Sequence, residues 1–134
     1  MKRKQMNRVF PYLFVNNANN AIKLYKKAFD ATLIGDITYI ESNDIVNKKI
    51  SHATLSIEKS QFFIGEADFI EYYKNSRITV NVELSTKYKV KQAFEVLEKK
   101  AKKIYYKPQH LPWSSLGFSL RCQFEIDWMI YYRK

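Results

Sequence analysis

Arg8-Val9-Phe10-Pro11-Tyr12-Leu13-Phe14-Val15-Asn16-Asn17-Ala18-Asn19-Asn20-Ala21-Ile22-Lys23-Leu24-Tyr25-Lys26-Lys27-Ala28-Phe29 is the stretch on which the fold turns. Its first third alternates, with Val9, Leu13 and Val15 on one side and Phe10, Tyr12 and Phe14 on the other, which is strand periodicity with both faces apolar. Asn16 and Asn17 then offer an N-cap. Beyond them Ala18, Ala21, Ile22, Tyr25, Ala28 and Phe29 recur at helical spacing while Lys23, Lys26 and Lys27 point elsewhere. A buried strand feeding an amphipathic helix of about three turns is therefore expected.

Three β-rich stretches follow, Thr32 to Glu41, Ile50 to Ile57 and Gln61 to Gly65, separated by turn signals at Ser42-Asn43-Asp44 and Glu58-Lys59-Ser60. The same order then recurs. Ile78 to Leu84 alternates Val80, Val82 and Leu84 against Thr79, Asn81 and Glu83. A helix follows with Val90, Ala93, Phe94, Leu97 and Ala101 on one stripe, and then β-rich Lys103 to Lys107, Gly117 to Gln123 and Ile126 to Arg133. Ala21-Ile22 matches Ala93-Phe94, and Tyr25 matches Leu97, at a spacing of 72 residues. A repeated local order is a stronger topological clue than any one propensity. The expectation is an α+β chain forming a single domain over 1–134, with a βαβββ module at 8–66 and a second at 77–133. Ala67 to Arg77 reads as a seam with a short helix or lid around Phe69, Ile70, Tyr72 and Tyr73. Pro108 to Ser115 reads as a proline-stiffened loop holding Trp113.

Composition narrows the function classes. At 134 residues and 46% hydrophobic the chain can bury an ordinary core, and it has no apolar run near the roughly 18 residues that span a bilayer. The basic N-terminus, without an apolar run behind it, and the lone Cys122 together lead us to expect a cytoplasmic protein with no membrane partner. The net charge of +10 invites a nucleic-acid partner. Its distribution argues against one, because the lysines fall on the first eight residues, the outer face of the first helix and Lys99 to Lys103, where solvated surface accounts for them. Three glycines leave no dinucleotide fingerprint or phosphate loop, and there is neither a Gly-x-Ser-x-Gly elbow nor a His-Glu-x-x-His pair.

The element order, with Pro11-Tyr12-Leu13-Phe14-Val15, Ala21-Ile22-Lys23-Leu24-Tyr25, Phe29, Ile50-Ser51-His52-Ala53, Trp113 before Gly117-Phe118, and Trp128-Met129-Ile130, resembles the PhnB-like branch of the vicinal oxygen chelate superfamily. That superfamily includes glyoxalase I, bleomycin-resistance proteins and extradiol dioxygenases. The resemblance implies two βαβββ modules whose mixed sheet curls around a cleft with the helices outside. It also implies a homodimer, for which exposed Tyr72, Tyr73, Tyr105 and Tyr106 are interface candidates. Metal-using relatives draw His and Glu ligands from the first and last strand of each module. Those positions correspond to Phe10, to Phe63 or Gly65, to Thr79 and to Met129, so no metal and no cofactor is expected. In the family a glycine usually precedes the last strand, where this chain has Glu125.

Strand parity alone puts Phe10, Tyr12, Phe14, His52, Thr54, Ser56, Gln61, Phe63, Thr79, Asn81, Glu83, Asp127, Met129 and Tyr131 toward the cleft. The expected ligand set is Tyr12, Phe14, His52, Thr79, Asn81, Glu83, Trp113, Asp127 and Tyr131, with a small aromatic or amphipathic molecule as the partner. His52 and Glu83 are the catalytic candidates. His52 reads either as a cleft base, with Glu83 or Asp127 across the sheet, or as a half-buried imidazole bonded to its strand neighbours. Glu83 and Asp127 can form an acid–base pair, or be held by an arginine such as Arg121. The competing functions are a metal-dependent or His/carboxylate-based enzyme and a basic nucleic-acid module, the latter marked by a salt-dependent affinity.

Overall fold

The computed structural model describes residues 8–42, 46–67 and 78–133. Met1 to Asn7, the centre of the first turn signal and the seam carrying Phe69, Ile70, Tyr72 and Tyr73 lie outside the described residues. Two βαβββ modules follow one another. The first comprises β1 (Tyr12–Val15), α1 (Ala18–Phe29), β2 (Thr32–Tyr39), β3 (Ile50–Ile57) and β4 (Ser60–Glu66). The second comprises β5 (Val80–Leu84), α2 (Lys87–Glu98), β6 (Lys103–Leu111), β7 (Ser114–Arg121) and β8 (Asp127–Tyr132). Their sheets have the same order, β1-β4-β3-β2 and β5-β8-β7-β6. In each the first strand runs parallel to the last and the other pairs are antiparallel.

The helix stripe of the first module is the one that periodicity selects: Ala18, Ala21, Ile22, Tyr25, Ala28 and Phe29 are all buried. Asn17, in the left-handed region at φ 68°, caps α1 by accepting from the Asn20 amide, and Lys26 and Lys27 stand in the last turn, where the helix dipole favours cations. In α2 Thr86 accepts from the Lys89 amide, and Val90, Ala93 and Leu97 are buried. Phe94 is half-buried against Phe118, whereas Ala101, expected on the stripe, lies beyond the helix end at Glu98. The helices begin at Ala18 and Lys87, 69 residues apart, and their caps Asn17 and Thr86 keep the same spacing. The 72-residue match thus aligns the buried stripes about one helical turn out of phase with the modules.

Each helix packs on its own sheet, and the two helices pack on each other. The core crosses the seam: Trp128 of β8, fully buried, lies 5.1 Å from Tyr25, 5.0 Å from Phe29 and 6.2 Å from Phe62, measured between ring centroids. Glu58, in the β3–β4 turn, reaches Lys89 and Arg133 of the second module at 3.7 and 4.0 Å. These exposed pairs add little stability.

A further expectation fails. Pro108 to Ser115 is not a loop, because β6 runs on to Leu111 and β7 begins at Ser114, leaving a hairpin turn at Pro112-Trp113. The prolines suggested a break, but β6 is an edge strand paired only with β7, and its register slips between Tyr106 and Gln109. An edge strand with a slipped register tolerates the missing amide of Pro108.

The departure at Glu125 has a backbone signature. Its φ of 65° is left-handed, in a turn closed by Glu125 N to Cys122 O at 2.9 Å and Cys122 N to Ile126 O at 3.0 Å. A side chain there costs about 1 kcal/mol that glycine avoids. Glu125 is exposed, so Glu125→Gly is expected to raise the unfolding free energy by about 0.5–1 kcal/mol in urea titration.

Candidate functional site

The open face of the first sheet is an aromatic surface. Leu13 and Val15 turn toward the helix, so the alternate residues Tyr12 and Phe14 face away from it, and their rings stack at 4.3 Å and 10°. Tyr12 pairs in register with Phe63, whose ring stands 5.7 Å from Tyr12, 4.7 Å from His52 and 5.2 Å from Phe10. The Arg8 guanidinium lies 4.9 Å over the Phe10 ring. Tyr12 is 38% exposed, so this wall is open to an incoming molecule.

Hydrogen bonds hold the wall's polar groups. The Tyr12 hydroxyl donates to the Ser51 carbonyl at 2.8 Å and meets His52 Nδ1 at 3.2 Å; His52 Nε2 lies 3.4 Å from Thr54 Oγ1. Burial pushes the Tyr12 hydroxyl above its usual pKa, which keeps it protonated for the Ser51 bond. The approach requires a glycine, since a Cβ at Gly65 would come 2.5 Å from the Ser51 oxygen and 3.4 Å from the Tyr12 hydroxyl.

The second sheet's open face is charged and polar. Arg121 grips Asp127 in a fork, Nε to Oδ1 at 2.9 Å and NH2 to Oδ2 at 3.0 Å, and the Tyr105 hydroxyl donates to the same Oδ1 at 2.9 Å. The Arg121 hydrogen bonds hold the Asp127 carboxyl below its ordinary pKa, outweighing burial, and the Tyr105 bond adds to this; the same pair raises Arg121. Asp127 is thus a fixed anion, of the two possibilities the one in which an arginine holds it. Glu83 pairs in register with Tyr131 and is bonded to Arg133 Nε at 3.3 Å. Because its folded pKa is depressed, Asp127 contributes stability that is fully present above the ordinary carboxylate value of about 4 and is lost as pH falls through the lower folded value. Asp127→Asn should therefore lower stability at pH 7 by about 2 kcal/mol and flatten the acid limb of a stability–pH curve.

The expected ligand residues fall into separate groups. Tyr12, Phe14 and His52 come together on the first sheet. Asn81, Glu83 and Tyr131 line a cavity of about 1080 Å³ at the seam between the modules, whose other walls include Phe10, Gln61, Val82 and Trp128. Trp113 is at the hairpin tip, 56% exposed and edge-on to Tyr131 at 6.5 Å. Thr79 is exposed just ahead of β5, and Asp127 sits in the arginine fork. Among the described residues no contact joins His52 to Glu83 or Asp127; its partners are Tyr12 and Thr54. The cavity and the aromatic wall share Phe10 alone among the expected cleft aromatics of the first sheet.

This arrangement of paired modules occurs in solved structures. A PhnB protein from Bacillus cereus matches with a TM-score of 0.77 at 17% identity, covering 94% of this chain and 99% of that one. Protein PA1353 from Pseudomonas aeruginosa matches with a TM-score of 0.79 at 18% identity, over 95% and 98% of the two chains. A glyoxylase/bleomycin resistance protein/dioxygenase domain from Frankia sp. EAN1pec gives 0.68 at 12% identity, over 98% and 100%. The chain has the vicinal oxygen chelate fold. No family model matches it, and no curated protein matches it.

The positions that the resemblance assigns to metal ligands carry residues whose chemistry does not fit a divalent cation. Phe10 and Phe63 are ring-packed, and Gly65 has no side chain. Thr79 offers a lone hydroxyl, and the Met129 sulfur accepts from the Tyr106 hydroxyl at 3.0 Å. Oxygen or imidazole donors must converge within about 2.0–2.6 Å of such an ion. Among the described residues no group of three or more His, Cys, Asp or Glu is placed to do so. Likewise no helix among them is long and apolar enough to cross a membrane.

Sequence reasoning missed Glu66. Buried at the end of β4, it accepts from the Asn17 amide at 3.1 Å and the Ala18 amide at 2.6 Å, at the start of α1. The available signal was an α1 first turn without an acidic residue and a carboxylate at the apolar parity of Phe62 and Ile64.

Proposed function

We propose that this chain binds a small aromatic or amphipathic molecule through shape, stacking and a few polar contacts, without a metal. The observation that carries this reading is the wall of Phe10, Tyr12, Phe14 and Phe63 around His52, in which Phe10 and Phe63 stand at two of the positions where the resemblance puts donor atoms in chelating relatives. Rings that are partly exposed and already stacked on one another offer a flat ligand contact area at little conformational cost.

The test is a ligand-observed NMR screen of flat aromatic and amphipathic compounds against the full chain in the presence of EDTA. Saturable binding is expected, weakened at least about tenfold by Tyr12→Ala. About one equivalent of tightly held metal in freshly purified protein would overturn the reading, as would the absence of any binder. The reading includes a homodimer. Its support is the pair of edge strands β2 and β6, which expose Ile34, Tyr39, Ile104 and Tyr105, and light scattering gives the mass directly.

A further inference from the structure

We infer that His52 presents an unprotonated Nε2 on this aromatic wall and accepts a hydrogen bond there, so that the site selects planar aromatics carrying an acidic O–H or N–H, phenols first. The inference rests on the proposed binding function and adds a ligand class to it. Its basis is proton counting along one chain of atoms. The Ser51 carbonyl can only accept, and the Tyr12 hydroxyl has one proton, which it gives to that carbonyl at 2.8 Å. Toward His52 the hydroxyl therefore has only a lone pair to offer, so Nδ1 must be the protonated ring nitrogen across the 3.2 Å contact. In the neutral imidazole this leaves Nε2 as an acceptor.

Nε2 has only a weak claim on it. Thr54 Oγ1 is 3.4 Å away, beyond a good hydrogen-bond length, and its hydroxyl can rotate toward another acceptor. A ligand hydroxyl at ordinary length is a better donor than Thr54. The surroundings suit an aromatic carrier for that hydroxyl, because the Phe63 ring lies 4.7 Å from the imidazole and Tyr12 stands edge-on at 5.4 Å. Among the described residues the ring nitrogens meet Tyr12 and Thr54 and no carboxylate that would compete for a proton. The bare α-carbon of Gly65 secures the chain at its far end by leaving room for Tyr12 to reach Ser51.

The experiment has two arms on the full-length protein. In the first, long-range proton–nitrogen NMR correlations report the tautomer of His52, with His110→Gln used to assign the two histidines. An Nδ1–H pattern is expected, and Tyr12→Phe should shift the population toward Nε2–H because the acceptor for Nδ1 is gone. In the second, 4-chlorophenol and 4-chloroanisole are titrated against wild type and His52→Phe. The phenol is expected to bind about tenfold tighter than its methyl ether in wild type and equally in the variant. An Nε2–H pattern in wild type overturns the inference. Equal binding of the two probes also overturns it while leaving the aromatic site standing, and failure of both to bind removes the site and the inference together.

Discussion

Trp128→Ala is expected to lower the unfolding free energy by about 4 kcal/mol, a large share of the roughly 5–15 kcal/mol that holds a domain folded. The indole is fully buried and belongs to the second module, yet its ring neighbours Tyr25, Phe29 and Phe62 all belong to the first. Truncation therefore removes apolar contact at the seam and leaves a cavity that neither sheet can collapse to fill. Trp128→Phe separates packing from polarity. The indole Nε1 finds no well-formed hydrogen bond, although it stands close enough to the Tyr25 hydroxyl to oppose the strong upward pKa shift that burial and Cys122 impose there. Losing that N–H costs little, so the phenylalanine variant should fall by less than about 2 kcal/mol. Urea unfolding of both variants checks the pair, and an alanine loss no larger than the phenylalanine loss would show that the seam contributes no cohesion.

The same seam shows how far the sequence could be read. Element order, the α1 stripe from Ala18 to Phe29 and the span of β3 follow from period alone, because a buried stripe or an alternating strand repeats every few residues. The aromatic face of the first sheet was legible for the same reason, since parity puts Tyr12, Phe14 and His52 on one side once Leu13 and Ala53 are assigned to the core. What parity cannot supply is which residues of different sheets meet. His52 and Glu83 share an orientation relative to their own helices and still find separate partners, Tyr12 and Arg133. Pro108 misled for a local reason: proline removes one amide, and only the pairing of β6 as an edge strand shows that this amide was dispensable.

Glu66 is the clearest case of a long-range term hidden from pattern, and its loss should be the second-largest effect. The first amides of a helix lack intrahelical acceptors, and α1 has no acidic residue in its own first turn. Glu66 supplies both carboxylate oxygens, one to Asn17 N and one to Ala18 N, from 49 and 48 residues away in the sequence, and it is only 8% exposed. Two charge-assisted bonds at the positive end of a helix dipole are involved, so Glu66→Ala should cost about 3 kcal/mol. Glu66→Gln keeps the volume and one acceptor but turns an amide group toward a backbone N–H, and should cost about 2 kcal/mol. The loss should be concentrated in α1. Native-state hydrogen exchange is expected to show the amides of Asn17 to Ala21 losing protection first in either variant, while those of α2, capped by its own Thr86, hold theirs. Uniform loss across both helices would mean that Glu66 acts through the core and not through the helix end.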